Sequence, residues 1–286
     1  MPRHSSPPHV IGRCCSQEFD WGFGGRLQRR AQQDPDALGW RNTDVLLRSI
    51  TMRHPVRMGD AVMGVDGCTH GWVGIVLTSG RVEALYAPTI GELEAAARGL
   101  GEIAVLAIDI PIGLPDAGVR QADVMSRRQV GPRSSSVFST PVRAALEFDT
   151  YESAAPAHRE LTSSGMTKQA FALRVKIHEV QAWLPSAMCR VVEAHPEVSF
   201  AELAQEPLIH SKSTWAGVEL RRNLLETAGI RLPSDLGSAG ARAGVDDVLD
   251  AAIAAWTAAR ARDGLARSLP DPPQVFSDGI AAAIWC

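Results

Sequence analysis

The sequence predicts an α/β protein, with a mixed central sheet flanked by helices and a long helical insertion. Three observations predict it. Apolar runs of strand length lie at Val62–Val65 and Trp72–Leu77, on either side of a glycine-rich bend, and Val82–Tyr86 follows as their neighbour. The run Ile103–Ile110 (IAVLAIDI) is continuously apolar, as a strand covered on both faces must be. Beyond it, strand-like runs alternate with segments of helical period, the pattern of a sheet whose crossovers are helices.

Taken in order, residues 1–57 stand apart. They carry Pro/Ser clusters, adjacent Cys14 and Cys15, and Arg29-Arg30, and only Asp44–Met52 has an amphipathic period. They read either as a poorly ordered extension or as a basic arm for a nucleic acid. The domain is expected over 58–286. Ile90–Leu100 has helical period, and Pro111 and Pro115 end the Ile103–Ile110 strand. Residues 116–188 are helical and loop-rich, which marks the insertion. Arg190–Val192 begins another strand that runs toward Glu193 and stops at Pro196. Thr214–Ala228 and Asp246–Arg262 are amphipathic helices, and Pro270–Cys286 is expected to end in a short apolar helix.

Composition narrows the function. The chain has 286 residues, of which 45% are hydrophobic and 21% charged, an ordinary globular balance. No apolar run approaches the roughly 20 residues that span a bilayer, and the first residues lack the apolar stretch of a signal peptide. This points away from a membrane, and the odd, unpaired set of cysteines fits a reducing cytoplasm. Five cysteines without a C-x-x-C pair argue against both structural zinc and a disulfide framework. The net charge of −3 excludes a chain that binds nucleic acid by bulk charge, but not one with a local basic surface. Nothing bears on oligomeric state.

The chemistry lies in separated acidic motifs. Asp66 (MGVDGCTH) follows an apolar strand and is either a hairpin-turn residue or a ligand. Asp109 (AIDIPIGLP) ends a strand that must be buried, so its carboxylate is either hydrogen-bonded to the following turn or bound to a cation. In DDVLDA, Asp246 suits the start of a helix, while Asp247 and Asp250, at i and i+3, share a face. Carboxylates brought together from two strands and a helix are what Mg²⁺ or Mn²⁺ needs. Glu193, His195 and Glu197 alternate (EAHPE), which would put them on one side of a strand, as a polar edge or as groups that bind metal or position water. Arg127, Arg128, Arg133, Arg143, Lys168 and Lys212 are either solvated surface or phosphate contacts, with Ser/Thr donors interleaved between Arg133 and Arg143.

Together these motifs resemble the ribonuclease H-like superfamily, nearest its Holliday-junction-resolvase branch. More narrowly, the chain is similar to the domain-of-unknown-function family 429. The resemblance rests on GVDGCTHGW (64–72), DIPIGLP (109–115), SSVFSTP (135–141), KIHEV (176–180), EAHPEVSF (193–200), SKSTWAG (211–217) and DDVLDA (246–251). It implies a ribonuclease H-like fold and a divalent-metal-dependent nuclease acting on DNA or RNA. Asp66, Asp109 and one of Asp247 or Asp250 would be the ligands, and Glu193 or His195 would position water or the leaving group. Two other readings remain: an actin-like phosphotransferase, which shares the sheet and first loop, and a nucleic-acid-binding module without activity.

Overall fold

A computed structural model of the chain describes residues 61–286. The expected extension at 1–57 lies outside the described residues. Strands β1 (Ala61–Cys68) and β2 (Gly71–Thr78) form an antiparallel hairpin, and β3 (Arg81–Ala87) continues it. Helix α1 (Ile90–Arg98) starts where the Thr89 side chain accepts the Glu92 N–H, a cap that satisfies an otherwise orphaned donor. The chain returns as β4 (Ile103–Ile108), parallel to β1. The connection to the next strand is helical throughout: α2 (Gln121–Val130), a 3-10 turn (Gly131–Ser136), α3 (Arg143–Leu146), α4 (Tyr151–Thr162), α5 (Lys168–Ala172) and α6 (Arg174–Trp183).

Strand β5 (Arg190–Ala194) then lies parallel to β4, followed by α7 (Pro196–Ala204), α8 (Trp215–Thr227), α9 (Gly237–Arg242) and the long α10 (Val245–Arg262). Strands β6 (Ser268–Val275) and β7 (Ala281–Trp285) complete a seven-stranded mixed sheet of order β3-β2-β1-β4-β5-β7-β6. The order 3-2-1-4-5 with an antiparallel β2 is consistent with a ribonuclease H-like core. Among the described residues no helix is long and apolar enough to cross a membrane.

The C-terminal segment departs from expectation. Residues expected to end in a helix form β6 and β7 instead. Alanine-rich AAAIW favours helix on local propensity. Its neighbours decide otherwise: Ile284 pairs with Glu193 and Leu269, and Trp285 with Ala194 and Ser268, so the segment fills the open edge of β5.

Strand pleating divides the sheet into two faces. Met63 and Val65, with Leu106, Ile108 and Ile110, pack on Ile90 and Leu93 of α1 and on Ile177, Val180 and Trp183 of α6. The alternate residues Val62, Val105, Ala107 and Val192 meet Ala254, Ala258 and Ala261 of α10. Gly64 lies on that second face, and there α10 touches the strand. A Cβ at Gly64 would sit 2.0 Å from the Ala255 nitrogen and 2.1 Å from the Ala251 oxygen. Only a residue without a side chain admits the helix so close.

This contact sets a stability prediction. Gly64→Ala must push α10 off β1, and overpacking of this kind costs about 3 kcal/mol, lowering Tm by roughly 10 °C. Gly165→Ala, where a Cβ meets nothing within 4 Å, is expected to leave Tm within a degree or two. Thermal melts of both variants check this, and equal melting points would refute the contact.

Candidate metal centre

The parallel strands β1, β4 and β5 end on one side of the sheet, which is where open α/β sheets place their ligand crevices. Asp66 is two residues beyond Gly64 and so faces α10, as does Asp109, two residues beyond Ala107. Asp109 directly follows β4, and its N–H bonds the Val65 carbonyl at 3.0 Å, which fixes it beside the end of β1. Asp250 precedes Ala251, which touches Gly64, so the helix lowers its carboxylate onto the two strand ends. One carboxylate oxygen from each of Asp66, Asp109 and Asp250 lies within 4.8 Å of the others.

These acids are short of positive charge. Asp66 Oδ1 accepts the Gly67 N–H at 2.7 Å. Asp250 is 2% exposed; its Oδ2 accepts from Lys212 Nζ at 2.5 Å, and its Oδ1 is buried without a partner. Among the described residues no Lys or Arg forms an ion pair with Asp66 or Asp109. Burial, with repulsion from Asp109 and Asp250, holds the Asp66 carboxyl well above the ordinary carboxylate range. Burial likewise pushes Asp109 and Asp250 up to about 7, against the opposing pull of Lys212. Three hard oxygen donors, together with an orphaned buried oxygen on Asp250, fit Mg²⁺ or Mn²⁺.

The remaining acids of the cleft each have an arginine or a backbone partner, although Glu197 keeps Oε2 buried without one. Arg120, 1% exposed, spans Glu193 through two hydrogen bonds (2.9 and 2.7 Å) and also reaches Asp123 at 2.8 Å. Glu193 also accepts the Ile112 N–H at 3.1 Å, so it braces the turn after β4 rather than offering a free base. It pairs with Ile108 across β4–β5 and shares that residue's face, opposite to Asp109. Glu193, His195 and Glu197 do not share a strand: β5 ends at Ala194, His195 caps α7, and Glu197 lies in its first turn. Pro196 fits that first helical turn, where its missing N–H costs nothing. Glu197 accepts from buried Arg221 at 2.6 Å. His195 lines the cleft with Nε2 3.4 Å from the Ser136 carbonyl and Nδ1 unpartnered, and burial lowers its pKa. Its imidazole is therefore neutral at neutral pH. Asp247 is not in the cluster. Its Oδ2 accepts the Gly244 N–H at 2.9 Å, so it closes the first turn of α10.

The basic residues divide in the same way. Arg133 and Lys212 line the cleft, with Lys176, Gln169 and Ser135 beside them, around a cavity of about 380 Å³. Arg127 is spent on the Val137 carbonyl and Ser139 Oγ, and Arg143 on Asp278 at 2.8 Å and the Leu114 carbonyl at 3.1 Å. Lys168 sits 5.5 Å over the Tyr151 ring, and Arg128 is exposed on α2 outside the cleft. Sequence reasoning missed the structural pairing of Arg120 with Asp123 and Glu193, and the placement of Lys176, whose Nζ lies 4.0 Å over Trp72 and bonds the Gly71 carbonyl. Only the i,i+3 spacing of Arg120 and Asp123 hinted at either.

A family model described as "Protein of unknown function (DUF429)" matches residues 64–275, and with them every acid of the cluster. No curated protein and no solved structure matches the chain.

The raised carboxyls make metal-free stability depend on pH. The folded state keeps a proton on Asp109 up to about 7, whereas the unfolded chain releases it near 3.8. Between these values the native state binds more protons, so this group's contribution falls as pH rises through the window. Asparagine cannot ionise. In EDTA, Asp109→Asn should equal the wild type near pH 4 and exceed it by about 2 kcal/mol near pH 8, a figure reduced for the group's partial exposure. Urea titrations at both pH values test this. A difference that does not change with pH would overturn the electrostatic account.

Proposed function

The chain belongs to the DUF429 family, whose description assigns no activity, and from that premise we propose that it is a divalent-metal-dependent nuclease that hydrolyses phosphodiester bonds of DNA or RNA in the cytoplasm. The observation that carries the reading is the convergence of Asp66, Asp109 and Asp250 within 4.8 Å in a cleft where other acids are paired with arginine. A bound Mg²⁺ or Mn²⁺ would supply Lewis acidity at the phosphoryl group. Asp66, Asp109 and Asp250 would hold it.

The chain's own groups suit the rest of the reaction. Arg133, Lys176 and Lys212 offer positive charge on the cleft wall, with Ser135 and Gln169 as neutral donors. Such donors favour a polyanionic backbone over a neutral substrate. They are local, which reconciles phosphate binding with a net charge of −3. With Nε2–H directed to the Ser136 carbonyl, the buried, unpartnered Nδ1 of His195 would be the proton acceptor if substrate brings the attacking water within its reach. Arg120 and Glu193 hold the turn at Ile112 and so fix the wall beside Asp109.

The test is cleavage of labelled single- and double-stranded DNA and RNA with saturating Mg²⁺ or Mn²⁺. Asp66→Asn keeps the shape and removes the charge, and is expected to lower the rate on the order of a thousandfold while binding falls far less. Wild-type cleavage by Asp66→Asn would end the reading. A wild type that cleaves nothing but binds a nucleotide would favour a phosphotransferase, and one that binds nucleic acid without cleavage a binding module.

A further inference from the structure

We propose that Lys212 is the resident second cation of the acidic centre, so that the protein takes one divalent ion, between Asp66, Asp109 and Asp250, and not two. The inference deepens the nuclease reading and rests on it for the role of the site.

Lys212 is placed there by construction. It lies in the turn before α8, where Thr214 N–H and Oγ1 both bond the Ser211 carbonyl, at 3.0 and 2.8 Å. Thr214 Oγ1 in turn accepts the Gly217 N–H at 3.1 Å and caps the helix. A Cβ at Gly217 would sit 1.9 Å from the Ser211 oxygen, so the glycine lets the turn fold tightly against α8. That turn sends the Lys212 ammonium 2.5 Å from Asp250 and 3.7 Å from Asp246.

Asp250 is thereby divided: Oδ2 belongs to Lys212, and the buried, unpartnered Oδ1 is left for an ion. A second ion would need further oxygen ligands, and most of the neighbouring carboxylate oxygens already have partners. Arg120 holds Glu193 and Asp123, Arg221 holds one oxygen of Glu197 and leaves its Oε2 buried without a partner, and Asp247 caps α10 through Oδ2. Charge leads to the same conclusion. Three ionised aspartates are neutralised by one divalent ion and one ammonium. A second divalent ion would leave the site with excess positive charge beside the lysine, and at such distances in a poorly solvated cleft that repulsion is large. An ammonium brings three N–H donors and needs no coordination shell, so Lys212 can meet a phosphate oxygen on the side away from the ion.

The experiment counts ions. Mn²⁺ is titrated calorimetrically into the full-length wild type, Lys212→Gln and Lys212→Arg, and each end point is examined by electron paramagnetic resonance. The wild type and Lys212→Arg are expected to bind one Mn²⁺ with an uncoupled spectrum. Lys212→Gln, freed of the charge, is expected to bind two, with the spin coupling of ions about 4 Å apart. The Lys212 side chain is 36% exposed, so the variants should fold, and circular dichroism confirms it. If Lys212→Gln misfolds, Lys212→Ala takes its place. Two ions in the wild type, or one ion of unchanged affinity in the Gln variant, would overturn the assignment and leave the nuclease reading intact. No ion in any protein would overturn both. One ion in the wild type and two in the Gln variant, with no hydrolysis by the wild type, would support Lys212's role and end the nuclease reading alone.

Discussion

The missing side chain at residue 64 governs the geometry of this protein. Because Gly64 has no Cβ, the backbone of α10 rests directly on β1, with Ala251 and Ala255 as the points of contact. Two consequences follow from local geometry alone. Strand alternation puts Asp66 on the same face as Gly64, and Asp250 is the residue just before one contact point on the helix. One close approach therefore fixes the distance between a strand carboxylate and a helix carboxylate. The alanine-rich face of α10 extends the same contact along Val62, Val105 and Ala107, so packing energy holds the acids together against their repulsion.

The cleft then sorts its acids into two kinds. Glu193, Asp123 and Glu197 each meet a buried arginine. A buried ion pair is at best a modest source of stability, but breaking one leaves a bare charge in a poor solvent. These pairs brace the start of α2, the turn after β4 and the start of α7. Asp66, Asp109 and Asp250 have only Lys212 among the described residues. Their carboxyls sit above the ordinary range because they are buried with too little positive charge beside them, whereas Glu193 and Asp123 in the same cleft share a buried arginine.

The helical connection between β4 and β5 builds the opposite wall. It supplies Arg120, Arg133, Ser135, Gln169 and Lys176, and its helix α6 also covers the other face of the sheet through Ile177, Val180 and Trp183. The connection thus serves both core and cleft. Its basic residues are mostly tethered: Arg127 and Arg143 bond backbone carbonyls of the same connection and its approach. Positive charge in its sequence is for the most part structural, and beyond the paired Arg120 what faces the cleft comes from Arg133, 3.7 Å from Glu197, and Lys176.

The sequence alone determined the α/β class, the opening strands, the buried Ile103–Ile108 strand, the two long C-terminal helices and the family, because each rests on local periodicity or a contiguous motif. It also marked Asp66, Asp109 and the Asp247/Asp250 pair, since an acid at the end of an apolar run is conspicuous wherever the chain folds. Tertiary structure decided the rest. Asp247 and Asp250 share a helix face, and only the seating of that helix on Gly64 sends Asp250 inward while Asp247 closes the first turn. Glu193 is separated from Asp109 by strand parity, which depends on the register of β4 with β5. Lys212 lies 38 residues from Asp250 and Arg120 lies 73 from Glu193, and no spacing encodes such contacts. The last strand was hidden for the same reason: AAAIW has the local preferences of a helix, and the open edge of β5, 91 residues earlier at Ala194 against Trp285, makes it a strand.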